Sequence, residues 1–232
     1  MSRMRSSLGF RRMRGLSLVE LMVGIAVGLM VVAGASMVAV NQLSENRRLL
    51  LETQVQQDLR AAADMVARDI RRAGYWGKSE TSAWQGDDPN VAANPYTDLS
   101  PSAPGAAVEQ VDFNYSRDPV EEDNAVDADR EQFGFKRDGG AIKMLIGGAW
   151  QALTDSNVLE VTRFDISVER ETVVQACFKD CPGGGTACWP TLDVRRITVE
   201  IAGRAVNDPA VERSVRDTVR LRNDTPAGAC PA

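Results

Sequence analysis

Twenty consecutive residues without a charge, Leu21 to Val40 (LMVGIAVGLMVVAGASMVAV), constrain this chain more than any other feature. At about 1.5 Å per residue a helix of that length spans roughly 30 Å, the thickness of a bilayer core. The segment before it carries Arg3, Arg5, Arg11, Arg12 and Arg14 and no acid. That bias places the N-terminus in the cytoplasm and the rest of the chain beyond the membrane. Glu20 stands at the front edge of the run, inside the apolar stretch that opens at Leu16. A carboxylate at that depth costs on the order of a few kcal/mol, so a functional role with a partner is expected of it. The plain alternative is a side chain resting at headgroup depth.

A second reading competes. A basic start, an apolar run and then Ala33-Gly34-Ala35 before Ser36 also fit a secretory signal peptide with a small-residue cleavage site. That would leave a signal-anchored or soluble periplasmic enzyme or binding module. Two features oppose it. Glu20 breaks the front of the run, and the run continues into a patterned helix. Val55, Leu59, Ala62, Val66, Ile70 and Ala73 step by three or four residues, one stripe on an α-helix. Asp64 with Arg68 and Asp69 with Arg72 are spaced as intrahelical ion pairs, and no proline interrupts residues 16–73. Gly74 offers the stop. A helix over 16–73 is therefore expected, membrane-spanning over about 16–40, its second half docking one face on something.

Composition removes whole classes of function. The chain has no histidine, which excludes Ser-His-Asp and Cys-His catalysis and any histidine metal site. Its net charge of −5 hides an asymmetry: without the five leader arginines, 22 basic residues face 32 acidic ones. So acidic a body is a poor nucleic-acid binder. No G-x-S-x-G nucleophile motif is present, and Gly183 to Gly185 are followed by no Lys-Ser/Thr pair that would make a phosphate loop. No catalytic residue and no enzymatic activity are expected.

Arg14-Gly15-Leu16-Ser17-Leu18-Val19-Glu20-Leu21-Met22 after a short basic leader resembles the processing signal of type IV prepilins and type II secretion pseudopilins. Farther on, Arg71-Arg72-Ala73-Gly74-Tyr75-Trp76-Gly77 and the closing strand Val215 to Asn223 resemble the PilW group of minor pilins. Two departures stand out: Leu16 occupies a position that is usually phenylalanine, and no helix-kinking proline is present. Gly24, Gly28 and Gly34 can soften the helix instead, and Gly24 with Gly28 forms a G-x-x-x-G pair suited to close helix packing in lipid.

The resemblance implies cleavage of residues 1–15 between Gly15 and Leu16 by a membrane prepilin peptidase, and N-methylation of Leu16. It implies that Glu20 is the assembly carboxylate, neutralising the N-terminal amine of a neighbouring subunit. The function implied is that of a minor pilin that helps initiate and cap the type IV pilus. Its partners would be other minor pilins, the major pilin, a tip adhesin, the peptidase and the inner-membrane assembly platform. The chain would sit in the inner membrane with its C-terminal domain in the periplasm, then move to the pilus. The same signal serves a J-like pseudopilin of a type II secretion system, which is the second reading.

Residues 74–232 make the exported domain. Residues 78–110, with Pro89, Pro95, Pro101 and Pro104, read as a long loop region. Strand-like runs follow at Val111 to Tyr115, Gln132 to Lys136, Ile142 to Ile146, Val158 to Val168, Thr172 to Phe178 after an Arg170-Glu171 break, Arg196 to Ile201, and Val215 onward. The fold class is α+β: an antiparallel β-sheet covered on one face by the long helix, as in pilins.

The acidic run from Asp118 to Glu131 fails the EF-hand calcium template, because Gln132 stands where glycine is required. Some pilin relatives hold calcium in loops, but a solvated loop is the reading here, and no cofactor or metal is expected. Trp76, Trp84, Trp150 and Trp189 read as packing residues. Cys177, Cys181, Cys188 and Cys230 lack paired C-x-x-C knuckles and lie in an exported domain, so two disulfides are expected, with three pairings open. By the resemblance, Cys230 ties the C-terminal tail to the loop that holds the other three.

Overall fold

A computed structural model of the chain describes residues 15, 17–82, 94–117 and 122–231. The leader arginines, Leu16, Trp84, Pro89, Asp118 and Glu121 lie outside the described residues. The chain divides into two units, residues 1–49 and 50–232.

One helix, α1 (Leu18–Ile70), runs through both. In the first unit every described side chain of α1 is exposed, and the helix is long and apolar enough to cross a membrane. In the second unit α1 buries Val55, Leu59, Ala62, Ala63, Val66, Ala67 and Ile70. The helix stops at Ile70, not at Ala73 as the pattern predicts. Arg72 N donates to Asp69 O at 2.9 Å and Ala73 N to Ile70 O at 3.0 Å, so the ladder tightens to i,i−3 bonds. Gly74, at φ +77°, then turns the chain, and its N–H reaches Asn114 O at 2.9 Å.

The domain holds two antiparallel sheets where one is predicted. β1 (Leu99–Ser100), β2 (Gln110–Asn114), β3 (Gln132–Asp138), β4 (Ala141–Ile146) and β5 (Ala149–Ala152) pair in chain order as a meander. β6 (Leu159–Val174), β7 (Thr191–Ala205) and β8 (Asp208–Arg220) form the second sheet, and β9 (Thr225–Ala227) pairs with the start of β7. Alternation along a strand tells which face is buried but not which strands are neighbours, so the division was invisible locally. Both sheets contribute to one core with α1: Phe113, Phe133, Phe135 and Ile142 from the first, Phe164, Ile166, Ile197, Val199 and Ile201 from the second.

Two further corrections concern the expected loops and strands. Arg170 and Glu171 do not break β6; they pair with Arg195 and Val194, and the Glu171 carboxylate accepts from Arg196 at 2.8 Å. A strand wet on both faces accommodates such residues without cost to burial. The region 78–110 is not structureless where described: it holds a 3-10 turn at Ser79–Ser82, β1, and Val108 bridged to Ile166. Its Tyr96 is fully buried.

Gly203 of β7 leaves room for the neighbouring strand β6. A Cβ there would stand 2.8 Å from Leu159 Cδ1 and 3.0 Å from the Glu160 carbonyl, closer than such atoms ordinarily approach.

Candidate functional site

The N-terminal turn of α1 carries the residues singled out for processing and assembly. Gly15 is exposed, and a Cβ built on it meets nothing within 4 Å. Ser17 is the residue from which the helix starts: its carbonyl accepts the Leu21 N–H at 3.0 Å. Glu20 lies three residues on, in the first turn, where a carboxylate sits favourably against the unpaired N–H groups and the positive end of the helix dipole. Ser17 and Glu20 have the spacing of a capping box, which the sequence reading did not use. Leu16, whose amine processing would expose, is outside the described residues.

Gly24 and Gly28 stand four residues apart on α1, and a Cβ at either would meet nothing within 4 Å. Nothing in the chain's own packing requires glycine there.

The four cysteines pair as Cys177–Cys230 and Cys181–Cys188, each with Cα atoms 5.6 Å apart. The first bond ties the segment after β9 to the end of β6; the second closes the tight loop Cys181–Cys188. Within that loop Cys181 N donates to Gly185 O at 2.9 Å and Gly184 N to Cys181 O at 2.7 Å. Trp189 Nε1 donates to Lys179 O at 3.0 Å, and Phe178 beside it is fully exposed.

The acidic segment is not uniformly solvated. Glu122 is buried, and Tyr96 Oη lies 2.8 Å from Glu122 Oε1 and 3.0 Å from both Glu131 oxygens. Asn124 N donates to Glu122 Oε1 at 2.8 Å, Asp127 N to Glu131 Oε2 at 3.0 Å, and Trp76 Nε1 to Asn124 Oδ1 at 3.0 Å. Burial pushes the Glu122 carboxyl up, but the hydrogen bonds it accepts, those from Tyr96 and the Asn124 amide among them, outweigh it and hold the group below the usual range. The cluster fastens the chain that leaves α1 to the loop before β3. Among the described residues no group of three His, Cys, Asp or Glu side chains is placed to hold a metal ion. The sequence could not show this clasp, because two glutamates in an acidic run look like any others until Tyr96 is brought to them. The remaining described tryptophan, Trp150, lies over Gly134 with Lys136 Nζ 4.5 Å from its ring centre.

Two family models match the chain. Residues 10–36 match the prokaryotic N-terminal methylation motif, and residues 48–221, about three quarters of the chain, match prepilin peptidase-dependent protein B. No curated protein and no solved structure matches it.

Proposed function

Because the chain belongs to the prepilin peptidase-dependent protein B family, we propose that it is a minor pilin, of the PilW kind, that helps start and cap a type IV pilus. One coincidence carries the reading. The methylation-motif match takes in the end of the basic leader with Arg11, Arg12 and Arg14, then Gly15, Glu20 and the front of an apolar helix whose described side chains in the first unit are all exposed. That helix continues as the element on which the exported core is built.

In this role prepilin peptidase, working at the inner membrane, cuts after Gly15, where the lack of a side chain lets the backbone approach closely. Methylation of the new Leu16 amine keeps its positive charge. Glu20 of one subunit then meets the amine of the next in a medium of low dielectric. Breaking such a pair by removing one partner costs about 3–5 kcal/mol, which makes it a register for assembly. The role is structural and membrane-based, with other minor pilins, the major pilin, a tip adhesin and the assembly platform as partners. Possession of Glu20 suits a place beneath the tip, with a neighbour to pair with. The processing step is tested by the mass of the mature N-terminus in the membrane fraction. N-methyl-Leu16 is expected; a chain starting at Ser36 or still bearing Met1 to Gly15 overturns the reading.

A further inference from the structure

β6 continues past the core after Val168, and every residue from Glu169 to Val174 is exposed. Its two edges differ there. On one it pairs with β7 as far as Val174 opposite Thr191, and Gln175 N then donates to Pro190 O at 2.8 Å. Hydrogen-bonded pairs alternate along an antiparallel ladder, so that bond fixes which residues turn their backbone towards β7: Glu169, Glu171 and Val173. The N–H and C=O groups of Arg170, Thr172 and Val174 point the other way. Ile166 has the same phase: on that outer edge its N–H donates to Val108 O at 2.9 Å and its C=O accepts the Val108 N–H at 3.0 Å. Past this bridge the pairing stops. Among the described residues no hydrogen bond reaches the outward backbone groups of Arg170, Thr172 or Val174.

The open stretch is held in strand form from its inner side. Glu171 accepts from Arg196 at 2.8 Å, Thr172 Oγ1 donates to Asp193 Oδ1 at 2.6 Å, and the Cys177–Cys230 bond fastens the chain just past the strand. It is also unguarded. The edge along β8 carries Glu212, Arg213, Arg216, Asp217 and Arg220, with Pro209 near its start, the usual means of keeping other strands away. Thr172-Val173-Val174 has no charge, no proline and no bulge. Val174 is 55% exposed, and Phe178 on the loop that follows is wholly so.

Backbone groups fixed at the roughly 6.8 Å repeat of alternate strand residues are matched by another extended backbone. We propose that this edge of β6 accepts an extended segment of a different protein as an added antiparallel strand. Charge states what that segment carries. Arg170 is met by Asp193 at 3.7 Å and Glu171 by Arg196, whereas Glu169 has no ion-pair partner among the described residues. The incoming strand places a basic residue beside Glu169 and β-branched residues beside Val173 and Val174. A second copy of this edge does not fit that description. Centred on Arg170, Glu171 or Thr172, it would set Glu171, Val173 or Gln175 opposite Glu169, and never a cation. The proposal goes beyond the minor-pilin reading and does not depend on it.

The probe is a short, capped, fluorescent peptide of alternating threonine and valine that ends in arginine. In the proposed register its valines lie beside Val173 and Glu171 and its arginine beside Glu169. It is titrated by anisotropy against the full chain in non-ionic detergent, and binding is expected. N-methylation of the threonines, whose N–H groups face β6, should abolish binding; methylation of the valines, whose N–H groups face solvent, should leave it. Val174→Pro removes an outward N–H without touching the ladder to β7, and should weaken binding about tenfold. Glu169→Lys should weaken the arginine peptide and favour one ending in glutamate, a swap that does not rely on the proline being tolerated. Absence of binding overturns the proposal, as does binding indifferent to which residues are methylated, to Val174→Pro or to the charge swap.

Discussion

The two disulfides should contribute unequally, and the difference follows from the chain they enclose. Cys177 and Cys230 are 53 residues apart, whereas Cys181 and Cys188 are 7 apart. Loop-closure entropy makes the longer loop worth about 4 kcal/mol and the shorter about 2.5 kcal/mol at 25 °C. Cys177→Ser with Cys230→Ser should therefore lower the folded-to-unfolded ratio about a thousandfold, and Cys181→Ser with Cys188→Ser less than a hundredfold. The structure adds a local consequence. β9 is held to β7 by only the pairs from Thr191–Ala227 to Asp193–Thr225, with Arg195 Nη2 donating to Asn223 O at 3.1 Å upstream. Without the Cys230 tie this short strand should fray, and the amides of Thr225 and Ala227 should exchange faster than those of β8. The assay is urea unfolding of the processed chain in non-ionic detergent, followed by near-ultraviolet ellipticity, with hydrogen exchange on the same samples. If loss of the small loop costs as much as loss of the large one, chain entropy is not what these bonds supply, and the reasoning fails.

Glu20→Ala should leave cleavage after Gly15 intact but abolish incorporation into the fibre, read by N-terminal mass and by the content of sheared pili; normal incorporation would remove Glu20 from assembly. Gly203→Ala should destabilise the body by about 1–3 kcal/mol, because its Cβ would meet Leu159 and the Glu160 carbonyl at 2.8 and 3.0 Å, and thermal melting with no loss would mean that the sheet gives way freely. The Glu122 carboxyl is held below its ordinary 4.5, so its contribution to stability is present above that value and lost as pH falls through its lower folded value. Glu122→Gln should therefore flatten the acid limb of a stability-against-pH curve below 4.5, and an unchanged limb would show that the clasp does not depend on the ionised form.

What the sequence disclosed and what it hid divide along the range of the interaction. Val55, Leu59, Ala62, Val66, Ile70 and Ala73 were readable as one stripe because a helix repeats every few residues, and all six are buried. The alternation of Ile197, Val199 and Ile201 was readable for the same reason, and these too are core. The Arg170-Glu171 break was misjudged on that same local rule: two adjacent charges look like a turn only if one face of the strand is dry, and β6 has left the core by then. Gly203, the division into two sheets and the meeting of Tyr96 with Glu122 and Glu131 depend on residues dozens of positions away, and no short-range pattern encodes them. The candidate assembly site is the opposite case. Gly15, Glu20, Gly24 and Gly28 could be picked out because each belongs to a short local pattern on a single exposed helix or just before it, where the described residues of the chain's own fold place no demand on them.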